Sequence, residues 1–108
     1  MGLDQHFVIE TEDGFEEILY FRKFYELNEW VGFYLVEKYD INPDFNCEYI
    51  PVKPEDIKNL YLGLFSDIPS FDDGATFSFE EKWQKLFSNI KHLKTLSEEK
   101  KLYYYAWW

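Results

Sequence analysis

Few side chains in this sequence could form the cysteine–histidine pair of a hydrolase. It contains one cysteine, Cys47, and two histidines, His6 and His92. If Cys47 and His6 lie on neighbouring strands, the imidazole could activate the thiol as a base does in cysteine hydrolases. No recognisable motif surrounds either residue, so the favoured interpretation of Cys47 is a buried strand cysteine that contributes to packing.

Oxygen-bearing side chains recur at every second position in the stretch DINPDFNCE, residues 40–48. That spacing is typical of a calcium loop, which needs glycine at its sixth position and glutamate at its twelfth. Those positions are Phe45 and Pro51 here. We therefore predict a polar loop with Asx turns, and neither a metal site nor another cofactor.

Other catalytic patterns are missing from the sequence. Paired carboxylates such as Glu16–Glu17 are adjacent, so on a helix or strand they point in different directions and make poor acid–base pairs. The sequence has no glycine-rich phosphate loop and no Cys-x-x-Cys pair. We predict that the protein is not an enzyme; a deep pocket lined by His6, Cys47 and carboxylates would favour the opposite.

Negative charge is the strongest signal that remains. The net charge is −10, from 11 basic and 21 acidic side chains. Residues 1–48 carry 12 acids and 3 bases, whereas residues 81–108 carry 3 acids and 6 bases. Such a surface repels phosphate, which disfavours direct nucleic-acid binding, and is steered towards basic surfaces. Alternatively, the charge only keeps an aromatic-rich chain soluble.

The acidic residues form two groups that could converge on one face. One group follows a predicted helix and its following loop, and the other lies at a hairpin tip. Carboxylates spaced along a rigid scaffold can copy the charge of a nucleic-acid backbone and bind lysine and arginine. The predicted partner-binding residues are Glu26, Glu29, Glu37, Asp40, Asp44, Glu10, Glu12, Asp13 and the aromatic Trp108.

The first half of the chain predicts a hairpin followed by a helix. HFVIE and FEEILYF flank a turn signal at Asp13–Gly14, with His6 and Val8 on one face and Phe7 and Ile9 on the other. Apolar residues then recur at helical spacing between positions 24 and 35. A glycine in the middle of this stretch, Gly32, weakens the helix and indicates either close packing or a bend.

The second half predicts a short strand in CEYIPV, with Pro51 placing it at a sheet edge. A helix follows from Pro54, then a loop over 66–75, then a second helix opened by a capping box at Ser78. The terminal LYYYAWW favours a strand docked into the sheet. At 108 residues, we predict one domain spanning 1–108. Its fold class is α+β, with a small, mostly antiparallel sheet of three or four strands, three helices and the order β-β-α-β-α-α-β.

Compartment signals favour a cytosolic protein. A single cysteine cannot form an internal disulfide, so folding does not depend on oxidation. The stretch MGLDQHFVIE lacks the basic and apolar regions of a signal peptide. No apolar run approaches the roughly 18 residues of a membrane span.

Four landmarks, taken in order, resemble a family of small proteins from bacteriophages, prophages and their bacterial hosts. The landmarks are MGLDQHFVI, YFRKFYELNEWV, NCEYIPVKPEDIKNL and LYYYAWW. They are similar to the family's MGLD start, its Y-W-R-K-A-N-x-I-H-x-W-F helix, its D-C-G-x-Y-x-V strand and its F-Y-Y-x-S-S-W end. This chain departs from the family at Phe24–Tyr25 and at Asn28, which replaces a histidine, and its middle hairpin is reduced to FDDGATFSF.

The resemblance implies a phage or mobile-element accessory protein, located in the cytoplasm of a bacterial host, from a family with no assigned enzymatic activity. The resulting hypothesis is an anti-CRISPR-like inhibitor of a bacterial defence nuclease. Its acidic surface would contact the basic surface of a host nuclease or nucleic-acid-binding protein. The alternative is a structural or self-associating accessory domain that forms a homodimer through its aromatic C-terminal strand.

Overall fold

The computed structural model describes residues 2–65 and 81–108. Within them it contains four strands and three helical segments, so the predicted α+β class and element order are confirmed. The strands are β1 (Asp4–Thr11), β2 (Gly14–Arg22), β3 (Ile50–Val52) and β4 (Leu102–Trp107). The first helical segment consists of α1 (Tyr25–Trp30), a π-helical turn (Val31–Leu35) and α2 (Val36–Lys38), and it is followed by α3 (Pro54–Phe65) and α4 (Glu81–Glu99). The predicted loop at 66–75, the FDDGATFSF stretch and the capping box at Ser78 lie outside the described residues.

The sheet has the order β2-β1-β4-β3, and each neighbouring pair is antiparallel. The C-terminal strand β4 therefore lies inside the sheet, paired with β1 on one side and with β3 on the other. This confirms the prediction that the terminal aromatic segment is a docked strand. Pairing on both sides satisfies backbone hydrogen-bonding groups of Leu102, Tyr103 and Tyr104 within the sheet.

One face of the sheet carries the hydrophobic core. The alternation predicted for β1 is confirmed, with Phe7 and Ile9 facing the core and His6 on the opposite face. Residues of β4 alternate in the same way, because successive strand side chains point to opposite faces. The core side chains of the sheet are Phe7, Ile9, Leu19, Phe21, Ile50, Val52, Leu102, Tyr104 and Ala106. Helix residues that pack with them include Phe24, Leu27, Val31, Leu35, Ile57, Leu60, Leu86 and Leu93.

The turn of the hairpin is formed by Glu12 and Asp13, one residue before the predicted Asp13–Gly14 signal. Gly14 has a φ of 133°, a conformation that residues with a side chain rarely adopt. The Thr11 hydroxyl donates a hydrogen bond to the Gly14 carbonyl at 3.1 Å. A change of register between Phe7 and Val8 leaves Ile18 as the extra residue of a β-bulge.

The predicted strand that includes Cys47 is shorter than expected. β3 begins only at Ile50, and Cys47 is exposed with a left-handed φ of 62°. Its N–H donates to the Ala106 carbonyl at 2.8 Å, so the residue touches the sheet through a turn. The interpretation of Cys47 as a buried strand cysteine is therefore wrong, because a left-handed residue interrupts the extended conformation that a strand requires.

Both outer edges of the sheet are protected against pairing with another chain. β3 has three residues with Pro51 at its centre, which confirms the predicted edge position. On the other edge, the Lys85 ammonium group of α4 donates to the Tyr20 carbonyl of β2 at 2.6 Å. Short strands, proline and lysine are the usual means of preventing edge-to-edge aggregation.

Gly32 lies in the π-helical turn, and we expect that alanine there stabilises the protein. A Cβ added at Gly32 would meet its nearest neighbour, Phe45, at an ordinary 3.8 Å, whereas one added at Gly63 would lie 3.3 Å from Trp30. Gly32→Ala should therefore raise the free energy of unfolding by about 0.5–1 kcal/mol through helix propensity. Gly63→Ala, the matched control, should gain less because Trp30 must shift. Urea denaturation of both variants tests this; a destabilised Gly32→Ala would mean that the π-helical turn requires glycine.

Candidate functional site

A groove on the surface runs between the first helical segment and the loop that follows it. Its volume is about 470 Å³, and it is lined by Asn28, Glu29, Gly32, Phe33, Val36, Glu37, Pro43 and Phe45. We call it the acidic groove, because it combines an apolar floor with two carboxylates. Apolar floors with few polar groups are typical of surfaces that bind a partner.

Helical spacing explains why these side chains meet. Glu29, Phe33 and Glu37 are four residues apart in succession, so they lie on one face of the helical segment. Phe33 is 77% exposed and lies between the two glutamates. A large apolar side chain in water, flanked by charges, is the pattern of an anchor residue at a protein interface.

The loop forms the opposite wall of the acidic groove. The Asp44 N–H donates to the Asn42 side chain at 2.9 Å, so the predicted Asx turn is confirmed. Phe45 is buried, and the Trp108 ring packs edge-on against it with 5.1 Å between ring centroids. Because the Asn46 side chain also accepts the Trp108 N–H at 3.0 Å, the end of the described chain holds this wall in place.

A buried carboxylate anchors the far end of the helical segment. Asp56 has no exposed surface and accepts hydrogen bonds from the Lys38 ammonium group at 2.6 Å and the Tyr39 hydroxyl at 2.5 Å. The Lys53 N–H also donates to Asp56, at 2.8 Å, which caps the start of α3. The contact therefore ties α2 to α3 and holds Glu37 at its end of the groove.

The pKa values within this cluster follow from those contacts. Burial by itself raises the pKa of Asp56, but the hydrogen bonds from Lys38, Tyr39 and the Lys53 backbone outweigh it, so the pKa lies below its ordinary value of 3.8. The hydrogen bond to Asp56 raises the pKa of Lys38. Burial, followed by the same carboxylate, raises the pKa of Tyr39 to about 12. Asp56 is thus an anion and Lys38 a cation at neutral pH.

A buried amide fixes the other end of the helical segment. Gln5 of β1 has no exposed surface, accepts the Phe24 N–H at 2.8 Å and donates to the Phe24 carbonyl at 2.9 Å. Its amide also donates to the Tyr104 hydroxyl at 2.9 Å, and that hydroxyl donates to Asn28 at 2.9 Å. Asn28 lines the acidic groove, so this chain of bonds connects the centre of the sheet to the groove wall.

The structure brings part of the predicted partner-binding set together. Glu29 and Glu37 line the acidic groove, and Asp44 and Trp108 adjoin its loop wall. Glu26 lies three residues before Glu29 and is exposed. Asp40 follows α2 with a left-handed φ of 52° and is also exposed, so both extend the negative charge beyond the groove ends.

The hairpin-tip carboxylates Glu10, Glu12 and Asp13 lie at the other end of the sheet. The Glu10 N–H donates to the Lys101 carbonyl, immediately before β4, whereas the groove wall contacts Trp108, immediately after β4. The six residues of β4 separate the two positions, and a strand of that length spans roughly 20 Å. The two predicted acidic groups are therefore separate patches.

The structure pairs His6 with Glu17 through Nδ1. The other ring nitrogen, Nε2, is buried and has no hydrogen-bond partner among the described residues. Neither nitrogen therefore bonds to Cys47 in the part of the chain that the structure covers. Those residues also contain no group of three or more His, Cys, Asp or Glu side chains placed to hold a metal ion, and none of their helices combines the length and apolar character needed to cross a membrane.

No family model, curated protein or solved structure matches this chain. The resemblance to the phage and prophage family stays a prediction.

Sequence reasoning missed Gln5 and Asp56 as residues that position the groove. Gln5 interrupts an apolar strand at a core-facing position, a signal that the strand pattern contained. Asp56 follows Pro54 at the third helical position, where an acidic side chain can reach back to the N-cap. Its contacts with Lys38 and Tyr39 depend on tertiary packing and have no local signal.

Proposed function

We propose that this protein is a non-enzymatic inhibitor that binds a partner protein through the acidic groove. The partner would be a bacterial defence nuclease or another nucleic-acid-binding protein, and its basic nucleic-acid surface would be covered. The observation that carries the proposal is Phe33, exposed between Glu29 and Glu37 above an apolar floor. The phage origin comes from the resemblance, and the anti-CRISPR-like activity is the specific form of the proposal.

The arrangement supports protein binding more strongly than charge alone. A carboxylate surface that only maintained solubility would not need a large apolar side chain at its centre. In protein interfaces, an apolar anchor gives most of the affinity, while surrounding charges set the association rate and select the partner. Lysine and arginine on the partner would bind Glu29 and Glu37 as the anchor enters an apolar site.

The self-associating alternative is limited by the position of β4. Since β1 pairs with all six residues of β4 and β3 pairs with three of them, most of both edges of β4 is already occupied. A homodimer would have to use the aromatic side chains on the open face of the sheet. A monomer mass that is independent of concentration would exclude this alternative.

We expect Glu29→Lys with Glu37→Lys to weaken partner binding by about tenfold or more, because two attractive charge contacts become repulsive. The measurement is capture from a bacterial lysate on the tagged protein, with elution by increasing salt, followed by titration of the purified partner. Glu98→Lys with Glu99→Lys is the matched control. These two glutamates are exposed at the end of α4 and do not line the groove. Their replacement by lysine changes the net charge by the same amount as the groove variant.

The inhibitory part of the proposal has its own test. The captured partner is mixed with its nucleic acid and increasing amounts of this protein. The fraction of nucleic acid that stays bound to the partner measures the competition. Competition by the natural protein but not by the double variant supports occlusion of the basic surface. A partner that binds nucleic acid and this protein simultaneously, or one equally affected by the control variant, would show that the proposed mechanism is wrong.

A further inference from the structure

The sheet face opposite the core carries aromatic side chains where polar ones are usual. Antiparallel sheets with one solvated face normally place polar residues on it. Here β2, β4 and the residue before β3 place six rings on that face, and four of them are exposed. We call this the ring face, and its members are Phe15, Tyr20, Tyr49, Tyr103, Tyr105 and Trp107.

The rings contact one another across the sheet. Phe15 and Tyr49 stack with centroids 4.2 Å apart, and Tyr49 and Tyr105 are 4.6 Å apart. Trp107 follows at 5.8 Å from Tyr105. A contiguous aromatic patch of this kind marks an interaction site on a protein surface, because isolated exposed rings are common but joined ones are not.

Hydrogen bonds hold one end of the ring face in a fixed geometry. Asp4 accepts the Tyr20 hydroxyl at 2.5 Å and the Trp107 indole N–H at 2.9 Å. The His6 ring lies between them, 5.1 Å from Tyr20 and 5.3 Å from Trp107, and bonds to Glu17. Rings that are already ordered lose less conformational entropy on binding.

The charges on this face select the occupant. Asp4 and Glu17 share it with the rings, and Glu48 adjoins Tyr49, so carboxylates outnumber the one guanidinium, Arg22, that lies across from Asp4 on β2. The hydrogen bond from Tyr20 holds the pKa of Asp4 below its ordinary value, so this carboxylate is ionised at neutral pH. A second copy would bring the same carboxylates against each other, and a nucleic acid would bring phosphates against them. A cation is attracted both by carboxylates and by the faces of aromatic rings.

We propose that the ring face binds an arginine-bearing segment of a partner protein, with guanidinium groups stacked on Trp107, Tyr105 and Tyr49. Arginine fits better than lysine because its planar group stacks on rings and is more weakly hydrated. The Asp4 and Glu17 carboxylates offset the positive charge. This inference goes beyond the proposed function, since it concerns the opposite side of the sheet from the acidic groove and can hold or fail separately.

The two terminal tryptophans give a matched test. Trp107 and Trp108 are similarly exposed, at 44% and 41%, but Trp107 belongs to the ring face and Trp108 packs on Phe45 of the groove wall. The probe is a fluorescein-labelled dodecapeptide of alternating arginine and serine, followed by anisotropy. Trp107→Leu should weaken binding by at least about fivefold, and Trp108→Leu by less than about twofold.

Further variants and probes make each outcome decisive. Tyr49→Ser removes a ring without touching the Asp4 hydrogen bonds, so it reports on the ring face even if Trp107→Leu fails to fold. A lysine–serine peptide should bind several-fold more weakly. The proposal is overturned by no saturable binding of the arginine peptide, by equal binding of the lysine peptide, or by loss of binding in Trp108→Leu or Glu29→Lys. Tighter binding of oligothymidylate, or dimers that dissociate on Trp107→Leu, would also overturn it in favour of nucleic acid or a second copy.

Discussion

Replacing Asp56 with alanine is expected to lower the free energy of unfolding by about 2–3 kcal/mol, because this buried carboxylate accepts charge-assisted hydrogen bonds, although its ion-pair partner Lys38 is partly exposed. The substitution removes the acceptor of Lys38, Tyr39 and the Lys53 N–H together. Lys38 retains its contact with Glu55 at 3.1 Å, which limits the loss. Denaturation in urea at neutral pH measures the effect.

The Asp56 effect should also depend on pH, with a sign fixed by its lowered pKa. A carboxylate whose pKa is lower in the folded state stabilises the protein above its unfolded pKa and loses that contribution as pH falls through the folded value. The ordinary value is 3.8 and the folded value lies below it. The stability advantage of the natural protein should thus be complete near neutrality and shrink progressively below about pH 4.

Asp56→Asn is the control for this pH dependence. Asparagine conserves the size of the side chain but cannot ionise. Comparing it with alanine separates the effect on stability of losing the charge from the effect of the cavity that alanine leaves. The difference in stability between the natural protein and Asp56→Asn should narrow on acidification, while the contribution of Asp4 cancels because both proteins contain it. Parallel stability curves across that range would mean that the Asp56 charge does not stabilise the fold.

Replacing Gln5 with leucine is the second large effect, with an expected loss of about 2–4 kcal/mol. Leucine nearly matches the size of glutamine but leaves the buried N–H of Phe24 without a partner, at about 1–3 kcal/mol, and removes one of the two hydrogen bonds to the Phe24 carbonyl, at about 1 kcal/mol. The Phe24 carbonyl keeps the Asn28 backbone N–H as a donor, at 3.2 Å. Thermal and urea denaturation should both show this loss of stability. Because the two side chains are nearly the same size, overpacking does not account for it.

Tyr104→Phe is the matched variant for Gln5→Leu. It removes only the hydroxyl that joins Gln5 to Asn28, so we expect a loss of about 1 kcal/mol. The double variant should cost less than the sum of the single ones, because the two residues share a hydrogen bond. Additive losses, or a Gln5→Leu protein as stable as the natural one, would contradict the role assigned to the buried network.

The sequence by itself determined the elements and their order. Period-two alternation and Asp13–Gly14 specified the hairpin, and the aromatic terminus specified a strand, because these signals depend on neighbouring residues along the chain. Pro51 placed β3 at an edge, since proline cannot donate to a second ladder. The prediction of a strand at Cys47 failed. A left-handed backbone conformation keeps this residue out of the strand, and hydrophobic patterning does not encode that conformation.

Tertiary structure alone decided which surfaces exist. The order β2-β1-β4-β3 put the hairpin tip and the first helical segment at opposite ends of β4, so a single acidic face became two patches. It also assembled the ring face from residues as distant in sequence as Phe15 and Tyr103, and it buried Asp56 against Lys38. Charge and residue type are properties of the chain, whereas contact between distant residues depends on strand pairing and packing. The sequence therefore predicted an acidic, aromatic-rich protein, and the fold determined which of those side chains meet on the surfaces for which we propose binding.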